Sequence, residues 1–281
     1  MAKIADVIAA PAVNFDITKM VSSSMDPGND AWWVLYGPSG HGKTTAIASA
    51  SADFPDKLPA KAVTKLSGIG IVQFDRDGVA SLRACNLDVP TLNFSNRTTI
   101  AAIREGIDMI PAFVDHYKIH TLAIDTFTSL DTYTVADLQP KFGSKFGLYQ
   151  TVLAEHGQTL KTLRGLSCMT IFNCHSKAKS QFKDDGEFKE SAVNRSLATE
   201  TPGDFSISMD LSGQTKNFIR SQCSTIMPIV AEKLGNREPD YAIYPNGYQG
   251  KFEYKNRYRC FQNKEAPNLY RLMSLVKGDV K

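Results

Sequence analysis

Residues Gly37 to Thr44 read Gly-Pro-Ser-Gly-His-Gly-Lys-Thr, and no other stretch of the 281-residue chain restricts its fold so strongly. Three glycines in six positions let a backbone turn its N–H groups toward one point, and a lysine and a threonine follow at once. The letters match the phosphate-binding pattern G-x-x-x-x-G-K-[ST] at every fixed position. The flanks fit too. Trp32 to Tyr36 is an aromatic and β-branched run suited to a buried strand, and Thr45 to Ala48 suits the start of a helix, whose N-terminus adds partial positive charge. The candidate nucleotide contacts are therefore Gly37, Pro38, Ser39, Gly40, His41, Gly42, Lys43, Thr44 and Thr45. Lys43 would reach the β- and γ-phosphates and the Thr44 hydroxyl would ligate Mg²⁺, with Thr45 a less favoured second hydroxyl. Side chains at Gly37, Gly40 and Gly42 would block the approach of phosphate.

Carboxylates recur at the ends of apolar runs downstream. IGIVQFD reads as a second central strand and finishes in Asp75, Arg76 and Asp77, where open α/β sheets place their ligands. Either aspartate could polarise a water, and Asp77 could equally cap a helix. VPTLNF suits a third strand. From Thr98 to His116 the isoleucines recur at helical spacing, with Thr98 or Thr99 able to cap. Thr121 to Asp125 is a short apolar strand with a terminal carboxylate, and Asp125 is the candidate metal anchor because Mg²⁺ wants oxygen ligands. After a helix over Ser144 to Arg164 comes a strand over Cys168 to Cys174, ending among Asn173, His175 and Ser176. His175 either senses a γ-phosphate or is structural; the residues leave this open. His41, His116, His120 and His156 show no metal spacing.

Composition bounds the rest. With 42% hydrophobic residues the chain can bury one large α/β core, and a formal charge of +3 neither requires nor excludes a nucleic-acid partner. Five scattered cysteines, none in a C-x-x-C pair, argue against disulfides and zinc. No stretch approaches eighteen apolar residues and the first fifteen lack the long apolar core of a signal peptide, so a cytoplasmic protein without a membrane partner is expected. Residues 1–30 form a turn-rich leading segment, 31–260 the domain and 261–281 a tail. Within the domain, 177–204 is a long charged loop in which Lys177, Lys179, Lys183, Lys189 and Arg195 alternate with Phe182, Phe188 and several acids. From 205 onward the chain reads as short strands with one short helix, the last strand placing Lys255, Arg257 and Arg259 on one face.

Taken in order, GPSGHGKTT, FDRDG, LAIDTFTSL, IFNCHSK and YKNRYR resemble the motifs of the RecA-like ATPases. More narrowly they resemble the phage-encoded RecA-type nucleotide-binding proteins that accompany single-strand annealing and recombination. The resemblance runs from about Trp32 to Arg259. It implies a RecA-like P-loop NTPase core of α/β class with a mainly parallel central sheet and a β-rich C-terminal extension. It implies ATP and Mg²⁺ as cofactors and DNA-stimulated hydrolysis. Single-stranded DNA, further copies of the chain in a ring or filament, and a phage single-strand DNA-binding protein would be its partners, in the host cytoplasm. By position the catalytic acid falls on Asp77, where the family usually has Glu. The sensor falls on Asn173 or His175, and Lys255 and Arg257 match the lysine-and-arginine motif that would act on a neighbour's γ-phosphate. A small-molecule P-loop kinase and a nucleotide-gated helicase loader are the alternatives.

Overall fold

The first strand, β1 (Trp32–Gly37), is buried along its whole length, and its alternation sets a two-sided architecture. Trp32, Val34 and Tyr36 enter one apolar cluster while Trp33 and Leu35 enter another, as the two-residue period of a strand requires. The computed structural model describes residues 31–279 apart from 76, 144–145, 181–204, 233–239 and 250.

The chain continues through α1 (Lys43–Ala48), β2 (Thr64–Lys65), β3 (Ile69–Gln73), α2 (Ala80–Ala84), β4 (Leu87–Asp88), β5 (Thr91–Asn93) and α3 (Ile100–His116). Then come β6 (Thr121–Asp125), α4 (Phe127–Phe142), α5 (Phe146–Arg164), β7 (Met169–Ser180) and β8 (Phe205–Met209). The last elements are α6 (Gly213–Gln222), β9 (Thr225–Glu232), β10 (Asp240–Ile243), β11 (Lys255–Asn256) and α7 (Leu269–Lys277). The main sheet runs β10-β9-β1-β7-β6-β3-β5, with β9 through β5 mutually parallel. β10 and β11 pair antiparallel with β9, and β8 pairs antiparallel with β7. The fold is thus mixed α/β with a mostly parallel central sheet. One face is covered from α3, α4, α5 and α6, through side chains such as Ile107, Phe127, Leu163 and Ile219. The other is covered from α1, α2 and α7, through Ile47, Leu82 and Leu272.

Local signals placed most of these elements. The Thr99 hydroxyl accepts from the Ala102 N–H and starts α3. Other details differ from what the letters suggest. α1 has only six residues, because Ser49 closes it and the following N–H groups bond three residues back. α4, sixteen residues long, continues the TFTSL stretch without an amphipathic signature to announce it. β7 does not stop at Cys174 but runs to Ser180, so the first residues of the expected charged loop are strand paired with β8. Lys183, Lys189, Arg195, Phe182 and Phe188 lie outside the described residues.

The last expected strand shrinks to Lys255 and Asn256. The Asn256 side chain accepts from the Tyr258 N–H at 2.8 Å, a local turn that ends the ladder before Arg257 and Arg259. Residues 261–281 are not a loose tail among the described positions: α7 buries Leu269 and Leu272 completely, since their spacing puts them on one helical face. His156 is structural, its Nε2 lying 2.8 Å from the buried Asp131 carboxylate, which also accepts the Ser212 N–H at 2.7 Å. That carboxylate ties α4, α5 and the start of α6 together. All five cysteines are free thiols, and no helix among the described residues is long and apolar enough to cross a membrane.

Candidate nucleotide site

Parallel register brings the strand ends into a row. Gly37 of β1 pairs with His175 of β7, and Asp125 of β6 lies between Gln73 of β3 and Asn173 of β7. Neighbouring strands lie about 4.8 Å apart, so side chains leaving these ends converge on the loop after β1. They surround a cavity of about 570 Å³ whose walls include Lys43, Thr44, Asp75, Asp125, Asn173 and His175.

The glycines of the loop serve different purposes. A Cβ on Gly37 would sit 2.5 Å from the Ile229 carbonyl oxygen of β9, so the neighbouring strand already demands a glycine here. Gly40 and Gly42 have φ of +77° and +73°, which let the backbone curl before α1. A Cβ on Gly40 would meet no protein atom within 4 Å, and one on Gly42 would approach the Tyr241 ring at 3.2 Å. His41 is turned away from solvent, its Nδ1 accepting the Ala231 N–H at 3.1 Å. Burial, then the Lys43 charge, push its pKa down to about 4, so it stays neutral and latches the loop to β9.

Lys43 is only 6% exposed and its ammonium donates to the Gly37 and Pro38 carbonyls at 3.0 and 2.8 Å. Burial lowers its pKa to about 8, against the pull of Asp125 and Asp75. Thr44 Oγ1 donates to Asp125 Oδ2 at 2.9 Å, and Asn173 Nδ2 donates to Asp125 Oδ1. Burial raises the Asp125 carboxyl above its usual range, with the Thr44 and Asn173 hydrogen bonds and Lys43 opposing. A hydroxyl and a carboxylate side by side form the oxygen donor set a hard cation takes, as Mg²⁺ does with part of its water shell retained. The Asn173 carboxamide oxygen is buried without a partner, a polar atom left for a ligand or its water. Lys43, Thr44, Asp125 and Asn173 therefore fit a magnesium-bound polyphosphate. Among the described residues no cluster of three or more His, Cys, Asp or Glu could hold a metal by itself.

The two aspartates after β3 are not equivalent. Asp75 Oδ2 lies 3.6 Å from His175 Nε2, and its charge reaches Lys43, Asp125 and His175. Asp77 also borders the cavity, but it is exposed and contributes its N–H to Asp75 Oδ1 at 3.3 Å. Burial and Lys43 keep the His175 pKa below normal, with Asp75 pulling the other way, and the His175 N–H donates to Thr128 Oγ1 at 2.9 Å. Lys255 and Arg257 are not brought to this cavity. β11 pairs with Ile226 and Thr225, the register level of Val34 and Trp33, so Lys255 sits three residues, about 10 Å, below Gly37. Its ammonium donates to the Arg220 carbonyl at 2.7 Å, while Arg257 is exposed. Tyr241, Pro267, Ser81 and Cys85 line the cavity without having carried any motif.

A glycine loop between a strand and a helix, a buried lysine aimed into it and a hydroxyl at the helix start paired with a carboxylate at a neighbouring strand end define a P-loop nucleotide-binding domain. A family model described as an AAA domain matches residues 30–237, and the chain belongs to that family. No curated protein matches the sequence. A solved KaiC-like protein from the hyperthermophilic archaeon Pyrococcus horikoshii is similar over 86% of this chain and 88% of its own, with 13% identity and a TM-score of 0.41.

Proposed function

We propose that the protein binds ATP with Mg²⁺ in this cavity, hydrolyses it, and couples hydrolysis to single-stranded DNA within an assembly of identical subunits. The observation that carries the reading is the Thr44–Asp125–Asn173 chain beside the Lys43 ammonium, two groups from the start of α1 and two from the ends of β6 and β7 around one buried point. Lys43 holds the outer phosphates, and Mg²⁺, when bound at Thr44 and Asp125, supplies charge neutralisation for the transferring phosphoryl group. Asp75 is the residue we assign to accept the proton of the attacking water, because it faces the cavity and its carboxylate is steadied by His175. Asn173 positions Asp125, and His175 positions Asp75.

Support for a DNA role is topological. β7 begins its polar end at Asn173 and His175 and continues without a break to Ser180, so one strand joins the nucleotide cavity to the charged stretch that follows. Lys177 is exposed there. The assignment of Arg257 as a group acting on a neighbour's γ-phosphate rests on its exposure and its distance from its own cavity. Lys255, engaged with Arg220, would position that segment. ATP turnover measured with and without single-stranded DNA, alongside mass measurement, tests the whole reading. Turnover independent of DNA in a monomer would reject the assembly on DNA, and binding without turnover would favour the nucleotide-gated adaptor.

A further inference from the structure

Gln73 is the last residue of β3 and took no part in any sequence motif. It is nevertheless only 1% exposed, at a strand end where it pairs with Asp125 on one side and Asn93 on the other. A buried carboxamide is costly unless its polar atoms are used. Gln73 Nε2 donates to the Asp75 carbonyl oxygen at 2.5 Å, two residues further along its own chain.

That bond falls where the chain leaves the sheet. The Phe74 N–H donates to the Asp125 carbonyl at 2.7 Å and closes the ladder, but the Asp75 N–H reaches the same oxygen only at 3.4 Å. The Tyr133 hydroxyl of α4 reaches the Phe74 carbonyl at 3.4 Å as well, so both of these holds are long. The Asp75 carboxylate has equally loose contacts of its own: Oδ1 accepts the Asp77 N–H at 3.3 Å, and Oδ2 lies 3.6 Å from His175 Nε2. The turn then folds back onto the glutamine. A Cβ on Gly78 would stand 3.2 Å from Asp125 Oδ2 and 3.7 Å from Gln73 Cγ. One carboxamide thus lies against the turn that carries Asp75, beside the strand end that carries Asp125.

Resting on the assignment of Asp75 as the base for the attacking water, we propose that Gln73 is a positioning residue for hydrolysis. Its carboxamide fixes the main chain at Asp75, and through it the aim of the Asp75 carboxylate into the nucleotide cavity. A general base works only within hydrogen-bond reach of the proton it takes, and a misplacement of about 1 Å costs roughly a hundredfold in rate. Aspartate is a short side chain, so a shift of its peptide passes to its carboxylate almost undiminished. Asp125 does not depend on Gln73 in this way, because the β6 ladder, Thr44 and Asn173 hold it. Loss of the carboxamide therefore falls on turnover rather than on nucleotide or Mg²⁺ binding.

Two variants of the full chain test this. Gln73→Met keeps the length and removes the donor, while Gln73→Asn keeps the donor and draws it back by one methylene; either one that retains the wild-type circular-dichroism spectrum serves. In single-turnover kinetics with Mg·ATP each should hydrolyse about tenfold to a hundredfold more slowly. Calorimetric titration with a non-hydrolysable ATP analogue and Mg²⁺ should give affinities within about threefold of wild type, because the phosphate and metal contacts are untouched. Repeating the substitution in an Asp75→Asn background separates positioning from a general structural role. With the base already gone, it should cost less than about threefold more, since residues acting as a unit are not additive. An equal loss in both backgrounds makes Gln73 a support of the fold and overturns the proposal, as does wild-type turnover in the single variants. So does an affinity that falls as far as the rate. Wild-type turnover in Asp75→Asn itself would instead remove the base assignment, and the role of Gln73 would fall with it.

Discussion

Thr44 Oγ1 donates to Asp125 Oδ2 at 2.9 Å across 81 residues of sequence, joining the end of the phosphate loop to the tip of β6. Asp125 is only 1% exposed and its carboxyl is pushed above the usual range by that burial. A site that keeps such a costly group must use it. Removing the charge should therefore separate stability from function.

Asp125→Asn is expected to leave the thermal midpoint of the ligand-free protein no lower than wild type, since the amide can still bond Thr44 and no longer buries a charge. Nucleotide should still bind, with a weakened dependence on Mg²⁺. Differential scanning calorimetry with and without Mg·ATP checks both. An unchanged Mg²⁺ titration would make Asp125 a structural cap.

Lys43 governs the pH dependence. Its pKa in the ligand-free fold is about 8, below the ordinary 10.5, so it is charged below pH 8 and neutral above. Phosphates require the charged form. ATP affinity should fall by up to about tenfold per pH unit above 8, and Lys43→Ala should flatten that slope. The linkage for folding runs the other way: the unfolded chain holds this proton up to 10.5, so Lys43 adds stability as pH rises from about 8 to 10.5. Titrations at several pH values on both proteins settle the matter.

Asp75→Asn should cut turnover by roughly a hundredfold to ten-thousandfold with ATP affinity nearly kept, the usual cost of a lost general base. Asp77→Asn should cost far less, because its side chain is exposed and it is Asp75 that lies beside His175. Single-turnover kinetics of the pair decides between them; the reverse order would return the role to Asp77.

Charge removal at Lys177, Lys179 and Lys183 should reduce the salt dependence of single-stranded DNA binding. Each phosphate contact on a single strand contributes about 0.7 to the slope of log K against log salt, so three lost contacts lower it by about two. Fluorescence anisotropy across a salt series reads this slope. Equal slopes for the triple alanine variant would assign the stretch to another partner.

Arg257→Ala should depress turnover about a thousandfold or more while leaving the folded monomer's stability nearly unchanged, since an exposed charge contributes little to folding. Mixing it with the Lys43→Ala variant should restore part of the activity that neither has alone, because one subunit's loop would meet another's arginine. Co-assembly without recovered activity would leave Arg257 a solvated edge residue.

The parts legible from the letters are those fixed by neighbours in sequence. The loop from Gly37 to Thr44, the strand closing in Asp125, the capped helix after Thr99 and the polar end of β7 at Asn173 and His175 all follow from spacing and alternation. Asp77 illustrates the limit. Both aspartates border the cavity, and beyond the end of β3 the chain leaves the pleat, so no local pattern says that Asp75 is the one that meets His175. The strand carrying Lys255 is shorter than its letters suggest, because the Asn256 turn overrode an alternating pattern.

By itself the sequence determined a strand–glycine loop–helix unit, an α/β class with reduced cysteines, and the identity of the lysine, hydroxyl and carboxylate that could serve a magnesium-bound triphosphate. Only the tertiary structure decided which of these groups meet. Parallel register between β3, β6, β7 and β1 sets Asp125 between Gln73 and Asn173, and β9 presses its Ile229 carbonyl against Gly37. Tyr241 and Pro267, some two hundred residues from the loop they cover, reach it because β10 pairs with β9 and Ser49 holds the segment before α7. Such contacts depend on strand order, and strand order is settled by which apolar faces bury one another across the whole chain, a sum that no local pattern contains.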